Sequence, residues 1–188
     1  DSVTYIGAYA FGDCFALENV RISQAASYIG ATAFSGSTHV VLNVAEGTYS
    51  EKFAKANGIS YTTRAYIPVV VESGAFDNLT WELYDNGTLK IAGEGAMTNL
   101  ANYNLYPWYN VSYKVNEIVI GKDVTTIGNY AFAYGFRNVE SIVFEEGSAL
   151  DHIGVVAFMN VANIKDIVLP DSVTYIGAYA FGDCFALE

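Results

Sequence analysis

The chain has 188 residues, 52% hydrophobic and only 15% charged, with 9 Lys and Arg against 20 Asp and Glu for a formal net charge of −11. With 15 Tyr and 11 Phe it is too aromatic for a disordered polymer, and no run approaches the ~20 consecutive apolar residues of a transmembrane helix. The acidic balance argues against nucleic acid and against anionic membrane surfaces, both of which recruit clustered Lys and Arg. Residues 1–18 read DSVTYIGAYAFGDCFALE, and residues 171–188 read the same, at an offset of 170. The second copy adds three acids and no base, so one 170-residue period carries −11 + 3 = −8. Cys14 and Cys184 are one position seen twice, so their even number does not signal a disulfide framework. A small packed thiol is the simpler reading.

In chain order, Ile6-Gly7 is followed by Ala10-Phe11, and Leu17, Val20 and Ile22 then alternate as a strand does. The first signal returns at Ile29-Gly30 with Ala33-Phe34. In residues 44–64, Thr48 or Ser50 can N-cap a short helix through Ala56, Asn57-Gly58 stops it, and residues 59–63 read as a short strand. Residues 65–73 are extended, because Pro68 forbids a helix and three valines follow. Two alternating strands, 79–84 and 88–92, flank Asp85-Asn86-Gly87, a strong hairpin signal. Residues 93–97 and the aromatic run Tyr103, Tyr106, Pro107-Trp108-Tyr109 lead into a strand at 117–120.

Both signals then recur. Ile127-Gly128, Ile153-Gly154 and Ile176-Gly177 each precede an Ala-Phe pair, while Val139, Ile142, Phe144 and Ile164, Ile167, Leu169 repeat the strand pattern. The steps of 23 and 26 residues fall within the range of about 20–29 that marks leucine-rich repeats. One such coil cannot bury its own apolar residues, so the expected fold is a β-rich solenoid with short parallel strands stacked coil on coil, about 4.8 Å apart. Glycine after each Ile permits a tight bend or a close approach of the next coil, and Ala beside Phe keeps that packing flush.

The VTxIGxxAFxxC block of residues 3–14, with LxxVxI in 17–22, resembles the BspA-like leucine-rich repeats of bacterial and protist surface proteins. The resemblance covers about residues 3–44 and 115–188, with Gly135 and Val161 standing where the pattern often has Cys. It implies a secreted or cell-surface location, a hairpin N-terminal cap and a short helix-strand C-terminal cap. The expected organisation is therefore 1–64, the final repeats of one array with a C-terminal cap; 65–73, a linker or inter-module strand; 74–114, an N-terminal cap; and 115–188, the start of the next array. Two explanations of the repeated 18 residues stay open: tandem modules of near-identical sequence, or ends that let subunits join.

Chemistry is sparse. His39 and His152 are the only near-neutral bases, and Cys14 with His39 is a weaker reading than a packed thiol and a turn histidine. There is no CxxC, HExxH, calcium loop or phosphate loop, and no carboxylate pair stands out, so neither an enzyme nor a cofactor is expected. Binding candidates are the outward residues of the repeat strands: Asn19 and Arg21, Ser141 and Val143, Asp166 and Val168. The aromatic cluster of Trp81, Tyr106, Trp108 and Tyr109 either stacks on sugar rings or roofs the first coil. Adhesion to protein partners leads the functional readings, ahead of a stalk or fibre built from neighbouring copies and of binding to surface glycans. No nucleic-acid partner and no membrane insertion are expected.

Overall fold

Ile-Gly steps form short strands that pair parallel with one another, and two of the three downstream alternations form a second strand, at Asn19–Arg21 and at Ser141–Phe144. A computed structural model describes residues 2–188, which divide into two compact units, the first ending at Ile67 and the second running from Pro68 to Glu188.

In the first unit, β1 (Tyr5–Ile6), β2 (Asn19–Arg21), β3 (Tyr28–Ile29) and β4 (Val41–Ala45) precede helix α1 (Tyr49–Ala56) and β5 (Tyr61–Arg64). β1 pairs parallel with β3, and β2, β4 and β5 form a second parallel sheet, with Val20 opposite Leu42 and Leu42 opposite Tyr61. Ile6, Ile22, Ile29, Phe34, Leu42 and Val44 fill the space between, and Phe53 and Ala54 of α1 pack into the same cluster. The helix starts and stops where the sequence indicates, although Thr48 caps it without a side-chain bond to the first turn; its hydroxyl donates to the Ala45 carbonyl instead. Gly58, at φ 63°, turns the chain out of the helix.

The second unit begins with β6 (Val70–Phe76), β7 (Leu79–Tyr84), β8 (Thr88–Gly93) and β9 (Gly95–Ala96). After two 3₁₀ turns at Tyr103–Leu105 and Tyr109–Lys114 come β10 (Glu117–Ile120), β11 (Val124–Ile127), β12 (Ser141–Phe144), β13 (His152–Ile153) and β14 (Tyr175–Ile176). One sheet has the order β12-β10-β8-β7-β6: antiparallel through the hairpin, then parallel from β8 to β12. The hairpin turn needs Gly87 at φ 84°, and the Asn116 amide donates back to the Asn86 carbonyl at 3.1 Å. The other sheet is a parallel ladder, β14-β13-β11-β9, made mostly by the residues just before each Gly. Rings stack through the unit as a column, Trp108 on Phe132 on Phe158 on Phe181, at centroid spacings of 5.6, 5.2 and 5.3 Å.

Gly30, Gly128, Gly154 and Gly177 serve close approach, not a bend, whereas a Cβ on Gly7 would meet nothing nearer than 3.6 Å. None of them has a positive φ, yet a Cβ on Gly154 would sit 2.6 Å from the Asn129 nitrogen, and one on Gly177 2.5 Å from the Val155 nitrogen. Ala33, Ala131, Ala157 and Ala180 are all buried for the same reason, whereas Ala10 is exposed.

A pair of left-handed residues four apart punctuates the coils: Tyr9 and Asp13, Tyr130 and Tyr134, Val156 and Asn160, Tyr179 and Asp183. That conformation costs about 1 kcal/mol or more per non-glycine residue. In the first three pairs it aims both N–H groups at the following coil, for example Asn160 to the Gly182 carbonyl at 2.8 Å. Two further departures from the sequence reading concern strands. Residues 165–169 are not a strand although Ile164 is buried, and the Lys165 carbonyl accepts from Glu188 N–H at 3.1 Å. The extended stretch at 65–73 runs into β6, which pairs antiparallel with β7.

Candidate functional site

The outward face of the five-stranded sheet of the second unit is built by alternation. Leu89, Ile91, Ile118, Ile120 and Ile142 point into the core, so their neighbours Thr88, Lys90, Glu117, Val119, Ser141 and Val143 face out. Register aligns them into two rows across β8, β10 and β12: Thr88, Glu117, Ser141 and then Lys90, Val119, Val143.

The first row is a fixed polar ladder. Thr88 Oγ1 donates to Glu117 Oε2 at 3.0 Å, and Ser141 Oγ donates to Glu117 Oε1 at 3.1 Å. In the second row, Lys90 Nζ reaches Glu145 Oε1 at 2.6 Å, and the Lys122 backbone N–H donates to Glu145 Oε2 at 3.1 Å. The Lys90 ammonium, and then the Lys122 N–H, hold the Glu145 carboxyl below the usual carboxylate range. Tyr84 OH donates to Glu82 Oε2 at 2.6 Å, which raises the phenol above its ordinary value. Between these polar groups Val119 is half-buried and Val143 exposed, a small apolar centre with a structured rim.

The first unit carries a smaller version. Asn19 and Arg21 are exposed on β2, Arg21 lies opposite Asn43, and Asn43 Nδ2 donates to Thr62 Oγ1 at 3.0 Å. Beneath that face Arg64 sends Nη2 to the Ile22 carbonyl at 3.0 Å, while desolvation lowers its pKa.

Of the residues singled out from sequence, Asn19, Arg21, Ser141 and Val143 therefore lie on strand faces. Asp166 and Val168 are exposed but sit on irregular backbone. Thr88, Lys90, Glu117 and Val119 were missed. The alternation around Ile118 and Ile120 contained the signal for two of them; the hairpin's parallel pairing to β10 did not show.

The aromatic candidates need correction. Trp81, Tyr106 and Trp108 are buried, so none of these three rings offers a face to a sugar. Trp108 Nε1 donates to the Ala131 carbonyl at 2.8 Å, and Tyr106 OH donates to the carbonyls of Asn129 and Thr98. Burial pushes the Tyr106 phenol up to about 12. Of the four, Tyr109 alone is half-exposed, its ring 5.1 Å from that of Tyr103. Cys14 and Cys184 are both free thiols, the latter buried and with its pKa raised by that burial. Cys14 Sγ faces the Gly12 carbonyl, and exposed His39 approaches Thr38. Among the described residues no group of His, Cys, Asp and Glu could hold a metal ion, and no helix is long and apolar enough to cross a membrane.

The family model described as BspA type leucine rich repeat region matches residues 1–80 and 97–188, in six copies. A leucine-rich repeat protein of Eubacterium ventriosum, known from a crystal structure, is 24% identical over 62% of this chain and 43% of its own length, with a TM-score of 0.38. A leucine rich cell surface protein of Faecalibacterium prausnitzii is 17% identical over 99% of this chain and 68% of its own, with a TM-score of 0.31. The chain thus spans less than half the length of the Eubacterium protein. No curated protein matches it.

Proposed function

The chain belongs to the BspA-type leucine-rich-repeat family, and from that premise we propose that it is a cell-surface adhesion module that binds protein partners through its sheet face. The observation that supports this reading is the paired rows on β8, β10 and β12, where Val119 and Val143 lie beside hydrogen-bonded Thr88–Glu117–Ser141 and ion-paired Lys90–Glu145. Side chains already fixed by their neighbours lose little freedom when a partner docks. A net charge of −11 turns nucleic acid away, and the buried tryptophans leave the face without a platform for sugars.

Within this reading residues 74–114 act as an N-terminal cap, whose Trp108 and Tyr106 cover the end of the ring column. Helix α1 and β5 act as a C-terminal cap, with Phe53 and Ala54 closing the core of the first unit. The repeats present a surface and perform no catalysis.

The test measures adhesion of beads carrying the chain to bacterial or epithelial surfaces, with protease-treated and periodate-treated surfaces alongside. Val143→Lys should cut adhesion at least tenfold without unfolding the chain, and protease should abolish it. Loss on periodate alone, with Val143→Lys unaffected, would replace the protein partner by a glycan.

A further inference from the structure

Asn-Gly occurs twice in the chain, at Asn57-Gly58 and at Asn86-Gly87. The pair carries a reaction of its own. The glycine nitrogen can attack the asparagine side-chain carbonyl carbon, because glycine has no Cβ to hinder that approach. A bond forms between the glycine nitrogen and asparagine Cγ, Nδ2 leaves as ammonia with the glycine amide proton, and a succinimide ring remains. Water then opens the ring at either carbonyl, giving aspartate or isoaspartate. The backbone must first swing the glycine nitrogen onto Cγ, so the bonds that hold each pair set its rate.

Asn86-Gly87 is held from several sides. Gly87 N–H donates to the Tyr84 carbonyl at 2.9 Å, Thr88 N–H to Asn86 Oδ1 at 3.1 Å, and Asn116 Nδ2 to the Asn86 carbonyl at 3.1 Å. The Gly87 carbonyl accepts from Asn116 N–H at 3.0 Å, and Gly87 is buried. Turning this peptide breaks the hairpin turn and its tie to the residue ahead of β10. Asn57-Gly58 hangs on less. Both residues are exposed where α1 ends, and nothing lies within 4 Å of a Cβ placed on Gly58. Their bonds run back into α1: Asn57 N–H and Nδ2 to the Phe53 carbonyl at 3.0 and 2.9 Å, and Gly58 N–H to that of Lys55 at 3.4 Å. Helix ends fray, and swinging the Gly58 nitrogen gives up bonds within one helical turn.

We infer that Asn57-Gly58 is a self-modification site, which converts to aspartate and isoaspartate in the folded chain while Asn86-Gly87 is protected, and that the conversion loosens the end of α1. The product carboxylate cannot donate to the Phe53 carbonyl, so that acceptor loses its side-chain partner. The new charge also stands at the helix C-terminus, where the last carbonyls already present negative charge. In isoaspartate the main chain runs through the side chain and is one atom longer, which shifts Ile59 against the Ala54 carbonyl that now accepts its N–H at 3.1 Å. Ile59 packs on the cluster holding Leu42, Phe53 and Ala54, so the loosening reaches the core of the first unit. Water does not restore the amide, and the extent of conversion therefore records the age of the folded chain. The inference is independent of the sheet-face reading, since Asn57 lies outside the strands that carry Val119 and Val143.

The experiment ages the purified full chain in mildly alkaline buffer, folded and in urea, and maps both sites by peptide mass spectrometry with fragmentation that separates aspartate from isoaspartate. The expected result is that Asn57 converts at least tenfold faster than Asn86 in the folded chain, and that the two convert at similar rates in urea. The same ratio in urea as in the folded chain would place the cause in local sequence and overturn the inference. So would Asn86 keeping pace with Asn57 in the folded chain, or a folded Asn57 that stays intact while the unfolded one converts. The converted fraction, separated by its added charge on anion exchange, should exchange the amides of Asn57 and Ile59 about tenfold faster than the unconverted fraction. Equal exchange overturns the loosening. Asn57→Asp should quicken the same amides without ageing, and unchanged exchange there would remove the carboxylate as the cause. Asn57→Gln, whose longer side chain closes its ring far more slowly, should age without the charge gain; a gain at the parent's rate would assign the conversion to another residue and overturn the site.

Discussion

Replacing Gly177 by Ala should loosen the last coil, while the same change at Gly7 should be tolerated, although 18 residues of sequence around them are identical. On Gly177 the new methyl would lie 2.5 Å from the Val155 nitrogen and 2.7 Å from the Gly154 carbonyl carbon, both backbone atoms of the preceding coil. Ordinary contact requires about 1 Å of separation more, which opens the coil-to-coil bonds from Gly177 to Ile153 at 2.8 Å and from Val156 to Ala178 at 3.0 Å. Two such bonds at about 1 kcal/mol each, with part of the 1–3 kcal/mol typical of overpacking, give a cost of roughly 2–4 kcal/mol. Fraying of the coil caps that cost at its docking free energy. On Gly7 the nearest atom is Tyr5 Cε1 at 3.6 Å and φ is not positive, so Ala there is neutral or gains about 0.4–1 kcal/mol from a stiffer unfolded chain. A difference near 3 kcal/mol is roughly a hundredfold in the opening equilibrium. Amide exchange at Val156 and Gly177 should quicken by about that factor in Gly177→Ala, while exchange at Gly30 stays unchanged in Gly7→Ala. Equal effects of the two substitutions would refute coil-on-coil contact as the reason for the glycine.

Two further outcomes follow from the same geometry. Trp108→Phe removes the donor to the Ala131 carbonyl and thins the ring column, so urea denaturation should show the second unit destabilised by about 1–3 kcal/mol with the first unchanged. Glu145 is held below its unfolded pKa, so its contribution is complete above the ordinary carboxylate range and fades as pH falls through the lower folded value. The group is 35% exposed, which limits that contribution to under about 1 kcal/mol. An NMR titration should place the Glu145 midpoint below that of exposed glutamates, and Lys90→Met should move it upward. No movement would remove the ion pair as its cause.

The repeat architecture was legible because stacked coils impose fixed spacings: Ile-Gly and Ala-Phe are where neighbouring backbones come closest, and only small residues fit. Asn86-Gly87 marked its hairpin through local turn chemistry alone. What escaped reading depends on partners distant in sequence. The ladder at Tyr5, Tyr28, His152 and Tyr175 uses strands of two residues, too short for any periodicity to appear. The left-handed tyrosines cannot be recognised locally, since nothing in Ala-Tyr-Ala favours positive φ at Tyr9 or Tyr179. The aromatic run reads as ligand platform or as roof, with the roof favoured, and Trp108 and Tyr106 are buried with hydrogen bonds to coil carbonyls. On the sheet face, Thr88 and Lys90 became neighbours of Glu117 and Val119 through a parallel pairing that sequence alternation alone does not specify.

The central claim is that one 18-residue sequence folds the same way twice, bonded to the following coil in the first unit and to the preceding coil in the second. Residue-resolved amide exchange on dilute monomer tests it most directly. The account predicts slow exchange at Tyr9, Phe11 and Asp13 with fast exchange at Gly7, and the reverse in the other copy: slow at Gly177 and Glu188, fast at Tyr179, Phe181 and Asp183. The same protection pattern in both copies of the dilute monomer would contradict it.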